Sequence, residues 1–194
     1  MRDLDHCRRL AQETGMSQHW NASVDEIASV MPGDELIDTP HLNATRSITI
    51  AAPPEQVFPW IRQMGFGRAG WYSYDLVDNL GRRSATRIHP EWQNVSSGDQ
   101  VPGGPINFTA VTVDEPSVFV LALGAPDAGR ARVAFTLAYR LDPASDGTTT
   151  RLVTRVRSRI DLPAGRLAAR YILGPGDGFM LRKQLTNLRR RAEG

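Results

Sequence analysis

Hydrophobic and polar positions fall into clear order from Thr45 onward. Thr45-Arg46-Ser47-Ile48-Thr49-Ile50 alternates in the period-two manner of a β-strand with one buried face. Ala51-Ala52-Pro53 ends that strand, and Pro54 suits the first turn of a helix. Val57, Phe58, Trp60, Ile61 and Met64 then recur at helical spacing. Pro59 lacks an N–H, which predicts a kink or a late start for this helix. Residues 71–81 read as a second short helix. Strands are predicted over Gln100–Pro102, Ile106–Asp114, Ser117–Leu123, Arg132–Asp142 and Thr148–Ile160, with Gly- and Pro-rich turns between them. The chain closes with Ala164–Leu173, a break at Gly174-Pro175-Gly176, and a helix to about Arg191, striped by Leu181, Leu185 and Leu188.

Upstream, residues 1–22 read as a polar tail or helix. Ser23 and Glu26 form a capping-box pair for a short helix that ends before Pro32-Gly33. The segment from Pro32 to Leu42 reads as an extended linker. Strands segregated from helices give the α+β class, here a single domain over residues 23–194. We expect a curved antiparallel sheet of six or seven strands wrapped around the long C-terminal helix, with two short helices after the first strand. Such an arrangement leaves a cavity between sheet and helix.

Composition narrows the function classes. A chain of 194 residues, 41% hydrophobic, supports a core without staples. Cys7 is the sole cysteine, which excludes an intramolecular disulfide framework. No apolar run reaches membrane-span length, and the charged N-terminus has no signal-peptide core, so a cytoplasmic location is expected. The cations are 22 Arg and 1 Lys, a bias of GC-rich bacterial coding. Charge is uneven, at −5 over residues 1–60, −1 over 61–150 and +8 over 151–194. In the strand around residues 151–160, Arg151, Arg155, Arg157 and Arg159 share one side. We read that side as a solvated face, which makes nucleic acid the least favoured partner.

Two clusters carry candidate chemistry. Trp71-Tyr72-Ser73-Tyr74-Asp75 is the densest aromatic group, suited either to a pocket wall or to a rigid helix start. Arg87-Ile88-His89-Pro90-Glu91-Trp92 combines a cation, an imidazole, a carboxylate and an indole. The spacing of His89 and Glu91 permits an acid–base contact, and a surface ion pair fits equally well. Gly65-Phe66-Gly67-Arg68-Ala69-Gly70 fits G-x-G-x-x-G but follows a helix pattern, so it reads as an inter-helix loop and not a dinucleotide fingerprint. No serine elbow, P-loop or metal-ligand spacing occurs, so neither a metal nor another cofactor is expected.

Residues 45–65, the Tyr-Ser-Tyr-Asp run at 72–75, Arg87–Gln93, Gly98-Asp99 and the basic tail Met180–Glu193 together resemble the SRPBCC (START-like, helix-grip) superfamily. The similarity is greatest to its bacterial polyketide cyclase/dehydrase-like branch and spans about residues 24–193. Phe58 stands where that branch often has Trp. The resemblance implies a helix-grip fold binding a small hydrophobic ligand, polyketide-, lipid- or ring-type, in an internal cavity. Trp71, Tyr72, Tyr74, Asp75, Arg87, His89, Glu91, Trp92 and Met180 are the expected ligand contacts. An enzyme reading adds Tyr74 and His89 as acid and base for cyclisation or dehydration, with Arg87 steadying an enolate. A non-catalytic carrier or sensor of a hydrophobic metabolite needs only the cavity, and a basic interaction module is the remaining alternative.

Overall fold

In the computed structural model, which describes residues 19–123, 132–162 and 174–194, the first strand is β1, Leu42–Ile50. Its alternation places Leu42, Ala44, Ile48 and Ile50 in the main core. Before it lies α1, Val24–Ala28, closed by the expected box: Ser23 Oγ accepts from the Glu26 amide, and the Glu26 carboxylate accepts from the Ser23 amide. After it comes α2, Pro54–Arg62. Pro59 neither delays nor ends this helix, which starts at Pro54 and runs three residues beyond Pro59. A one-turn helix α3, Asp75–Asp78, and a 3₁₀ turn at Pro90–Trp92 occupy the following loops.

Five further strands follow: β2 (Gln100–Pro102), β3 (Asn107–Asp114), β4 (Val118–Leu123), β5 (Val133–Pro143) and β6 (Thr150–Ile160). The six form one antiparallel sheet in the order β1-β6-β5-β4-β3-β2. The last helix, α4, spans Gly174–Ala192, so Gly174-Pro175-Gly176 lies inside its first turn. The expected helical stretch Ala164–Leu173 and residues 1–18 lie outside the described residues. Leu181, Leu185 and Leu188 are buried in one core cluster with Ile48, Leu152, Val156 and the α2 side chains Val57 and Ile61, as expected of an α+β helix-grip.

The opposite face of the sheet differs from expectation. It is not solvated, because the segment expected to be a linker lies across it. Met31 packs with Val120, Ala138 and Val153, and Ile37 packs with Ala134. Gly33 has φ +88°, and a Cβ there would stand 2.7 Å from Val120 Cγ1, so this close crossing requires glycine.

The β6 arginines fasten that segment. Arg155 is only 3% exposed. It donates to Thr45 Oγ1, to Asp34 Oδ2 at 2.6 Å, and to the carbonyls of Glu26, Ile27 and Ser29 at the C-terminal end of α1. Arg157 takes the other Asp34 oxygen at 2.9 Å, Arg151 grips both Glu26 oxygens, and Arg159 pairs with Asp161. Strand alternation shows which side chains share a face but not what covers it. The acidic N-terminal third and the basic C-terminal third are partners within one molecule.

These pairs bias the carboxylates. The Arg151 hydrogen bond holds Glu26 well below its usual range, at about 2. Burial opposes the charge on Asp34, but the Met31 amide, Arg157 and Arg155 outweigh it, and the net shift is downward.

Candidate functional site

The loop after α2 turns back on itself, with the Gly65 and Gly70 backbones exchanging hydrogen bonds of 3.1 and 3.0 Å. Tyr72 follows with φ +57°, a left-handed backbone unusual for a bulky residue. Three neighbours hold it there. Ser84 Oγ accepts from its amide, its carbonyl accepts from Asn187 Nδ2, and its hydroxyl oxygen accepts from Gln63 Nε2 at 2.6 Å. The twist turns Tyr72 into the core, with its ring beneath the Arg191 guanidinium, while Trp71 and Ser73 on either side line a cavity. Burial raises the Tyr72 phenol far above its ordinary range.

That cavity, about 200 Å³, lies between the sheet and α4. Among the described residues its apolar wall is Trp71, Phe108, Phe135, Leu137, Met180 and Leu181, and its polar points are Ser73, Asp78 and Gln184, with Gly103 at one side. The aromatic rings brace one another, Trp71 and Phe108 edge to face at 5.7 Å, Phe108 and Phe135 tilted at 5.9 Å. Gly103 allows this, since a Cβ there would fall 2.5 Å from the Phe108 ring. Gln184 ties three parts of the cavity together. It accepts from the Tyr139 hydroxyl on β5 at 2.7 Å and donates to the Trp71 carbonyl at 2.9 Å from its place on α4.

Asp78, at the end of α3, is the ionisable side chain among the described cavity residues. Burial and the nearby Asp75 charge push its carboxyl up to about 6, although the Ser73 hydroxyl and the Asp78 and Tyr74 amides lie close enough to oppose the shift. Neither carboxyl oxygen reaches hydrogen-bond geometry with a partner. Asp78 and Gly103 also border a second, outer space of about 380 Å³, whose other walls are Phe66, Val77, Leu80, Gly104 and Pro105. Val77 and Leu80 are largely exposed beside it.

Of the residues expected from sequence to meet a ligand, the structure brings Trp71 and Met180 to the cavity wall. Tyr72 lies behind it, in the core. Asp75 is turned to Ser84, which donates to it through both its amide and its hydroxyl. Tyr74 stacks on Phe179 at 4.8 Å, joining α3 to α4 outside the cavity lining. Arg87, His89, Glu91 and Trp92 form a separate group that does not line the cavity. His89 Nδ1 lies 3.0 Å from the exposed Glu91 carboxylate, the His89 ring stacks on Trp92 at 4.3 Å, and the His89 amide donates to Gln63. Gln63 also donates to the Arg87 carbonyl. This cluster therefore pins a loop to the end of α2. Sequence reading missed Ser73, Asp78, Phe108, Phe135, Leu137 and Gln184. The available signal for Asp78 was a carboxylate flanked by Val77 and Leu80 on a short surface helix. No group of three His, Cys, Asp or Glu among the described residues is placed to hold a metal.

A curved antiparallel sheet closed by one long helix, with a largely apolar cavity between them, defines a helix-grip protein. The chain belongs to the family described as polyketide cyclase/dehydrase and lipid transport, which matches residues 41–193. A hypothetical protein from Helicobacter pylori is similar in structure, with 10% identity, a TM-score of 0.52, and coverage of 85% of this chain and 96% of that one. A protein from Mesorhizobium loti shares 14% identity at a TM-score of 0.45, over 77% of this chain and 98% of its own. One from Nitrosospira multiformis shares 16% at 0.46, over 77% and 94%. At 10% identity the likeness to the Helicobacter pylori protein concerns the fold alone. No curated protein matches this chain. No described helix is long and apolar enough to cross a membrane.

Proposed function

We propose that this protein encloses a small hydrophobic ligand in the cavity beneath α4, as a carrier or sensor. The observation that carries this reading is the cavity itself, walled by three mutually braced aromatic rings and three aliphatic side chains. Apolar burial there supplies affinity, and Ser73, Asp78 and Gln184 supply orientation. A cavity of about 150 Å³ accepts benzene, so the inner space suits one ring or a short branched chain.

Titration with 4-butylbenzyl alcohol, followed by ligand-observed NMR, tests this. Leu137→Trp fills the cavity and should weaken binding at least tenfold while the circular dichroism spectrum stays native. Undiminished binding to that variant refutes the site.

A second reading rests on Asp78. A carboxyl that ionises at about 6, beside an apolar cavity, is suited to proton transfer in a cyclisation or dehydration. In this reading the acid–base group is Asp78, because Tyr74 and His89 do not line the cavity. Asp78→Asn would then lower turnover by about 10²–10⁴ with affinity little changed, whereas a carrier has no turnover to lose.

A further inference from the structure

Leu76, Val77 and Leu80 are 81%, 68% and 76% exposed, three large aliphatic side chains on α3 and the turn after it. Pro105 lines the outer space with Val77 and Leu80, and the exposed Ile106 follows it; the exposed Phe179 of α4 stacks on Tyr74, the residue before α3. Exposed apolar residues are ordinary singly, but a group drawn from three parts of the chain marks an interaction surface. Leu80 is also strained in its place. Its φ is +49°, a left-handed backbone unfavourable to a large side chain, and its exposure means that packing does not offset the strain.

The way this loop disposes of its polar groups indicates what covers it. The amides of Val77, Asp78, Asn79, Gly81 and Arg82 all donate to carbonyls of residues 74, 75 and 79, and the Ser84 amide donates to the Asp75 carboxylate. Both acids are turned inward: Asp75 accepts from Ser84, and the Asp78 oxygens are sealed from solvent. The exposed charges of residues 75–84 are Arg82 and Arg83. An apolar tip with internally satisfied amides and a cationic rim matches the boundary of an anionic bilayer, where hydrocarbon offers no hydrogen bonds and the headgroups are negative. A protein partner makes no such demand on the backbone.

We propose that the α3 turn is a docking tip for bilayers containing anionic lipid. Leu76, Val77 and Leu80 enter the acyl boundary with Ile106 and Phe179 beside them, and Arg82 and Arg83 meet the headgroups. The surface stands whether or not the cavity holds a ligand.

Flotation of the full chain with vesicles of phosphatidylcholine, alone or with roughly one-third phosphatidylserine, tests this. Wild-type protein should bind the anionic vesicles at least about tenfold more strongly than the neutral ones. Leu76→Ser combined with Leu80→Asn should weaken that binding at least about tenfold, and Asn accepts a left-handed backbone more readily than Leu, so Tm should not fall. Arg82→Gln combined with Arg83→Gln should lose at least about tenfold on anionic vesicles and leave neutral ones unchanged. Val24→Ser combined with Val30→Ser, at comparably exposed positions on the segment over the outer face, should change nothing. Failure of the wild type to bind anionic vesicles overturns the proposal. Binding that survives the paired Leu76 and Leu80 changes also overturns it, assigning the attraction to general basic charge. A dimer in sedimentation velocity that those same changes dissolve, in place of vesicle binding, gives the surface to a second copy of the chain and likewise overturns it.

Discussion

Replacing Arg155 with Met is the sharpest probe of how the N-terminal segment is held. The guanidinium donates to Asp34, Thr45 and three carbonyls of residues 26, 27 and 29, from a position nearly sealed from water. Methionine matches much of the stem volume and none of these bonds. It removes a charged donor from the carbonyls of residues 26, 27 and 29, and leaves Asp34 with Arg157 and the Met31 amide. Breaking one partner of a buried ion pair typically costs about 3–5 kcal/mol. For a domain of this size that is a fall in Tm of roughly 6–20 °C, out of a total stability of about 5–15 kcal/mol. Arg155→Lys keeps the charge but not the fork, and should lose at least half as much. Arg151→Met is the control. Arg151 is ten times more exposed and grips Glu26, the Asn21 carbonyl and Thr49 Oγ1, so it should cost about 1 kcal/mol. Urea melts followed by far-ultraviolet circular dichroism give the comparison. If Arg155→Met loses no more than Arg151→Met, the account of the outer face as a sealed and ion-paired layer is wrong.

Three further outcomes are expected. Asp78 ionises at about 6 when folded against 3.8 as a free side chain, so the folded state binds more protons and loses stability as pH rises through that window; Asp78→Asn should raise Tm at pH 7.5 and leave it unchanged near pH 3.5, and a variant less stable at pH 7.5 would contradict this. Glu26 has the opposite sign, falling from 4.5 to about 2 on folding, so its contribution is complete above pH 4.5 and fades as pH drops toward 2; Glu26→Gln should flatten that acid limb of the stability curve. Gly70→Ala forces a side chain into φ +75° with its Cβ 2.6 Å from Ser84 Oγ, and should cost about 1–2 kcal/mol from the backbone alone, read by thermal melting, with a loss under about 0.5 kcal/mol counting against it.

The sheet and its helix were legible because they obey simple periods. Alternation in β6 and the Leu181–Leu185–Leu188 stripe each mark a face that must be covered, and both faces lie in one core. The outer face was misread for a related reason. Arg155 and its neighbours look solvent-facing by residue type, and only the docking of residues 23–37 gives them acids and carbonyls to bind. The site was half legible. Trp71 announced itself by composition, but Phe108, Phe135 and Leu137 are ordinary strand residues until the sheet curves over α4. His89 and Tyr74 carry the chemistry that catalysis favours, and local pairing with Glu91 and Phe179 occupies them elsewhere. Asp78 was passed over because the larger cause of its shift, desolvation, comes from the folded surroundings, although Asp75 stands three residues earlier in the chain.

The strand order also governs the timing of assembly. β2 to β6 are consecutive neighbours, so each can zip onto the last as it leaves the ribosome. β1 cannot. Its partner is β6, with Ile50 opposite Thr150 and Leu42 opposite Ser158, a hundred residues or more further along. Closing so long a loop is entropically costly and slow compared with hairpin formation. During synthesis the earliest apolar strand, its companion helix and the segment that seals the outer face must therefore wait, unpartnered, for the latest strand to arrive.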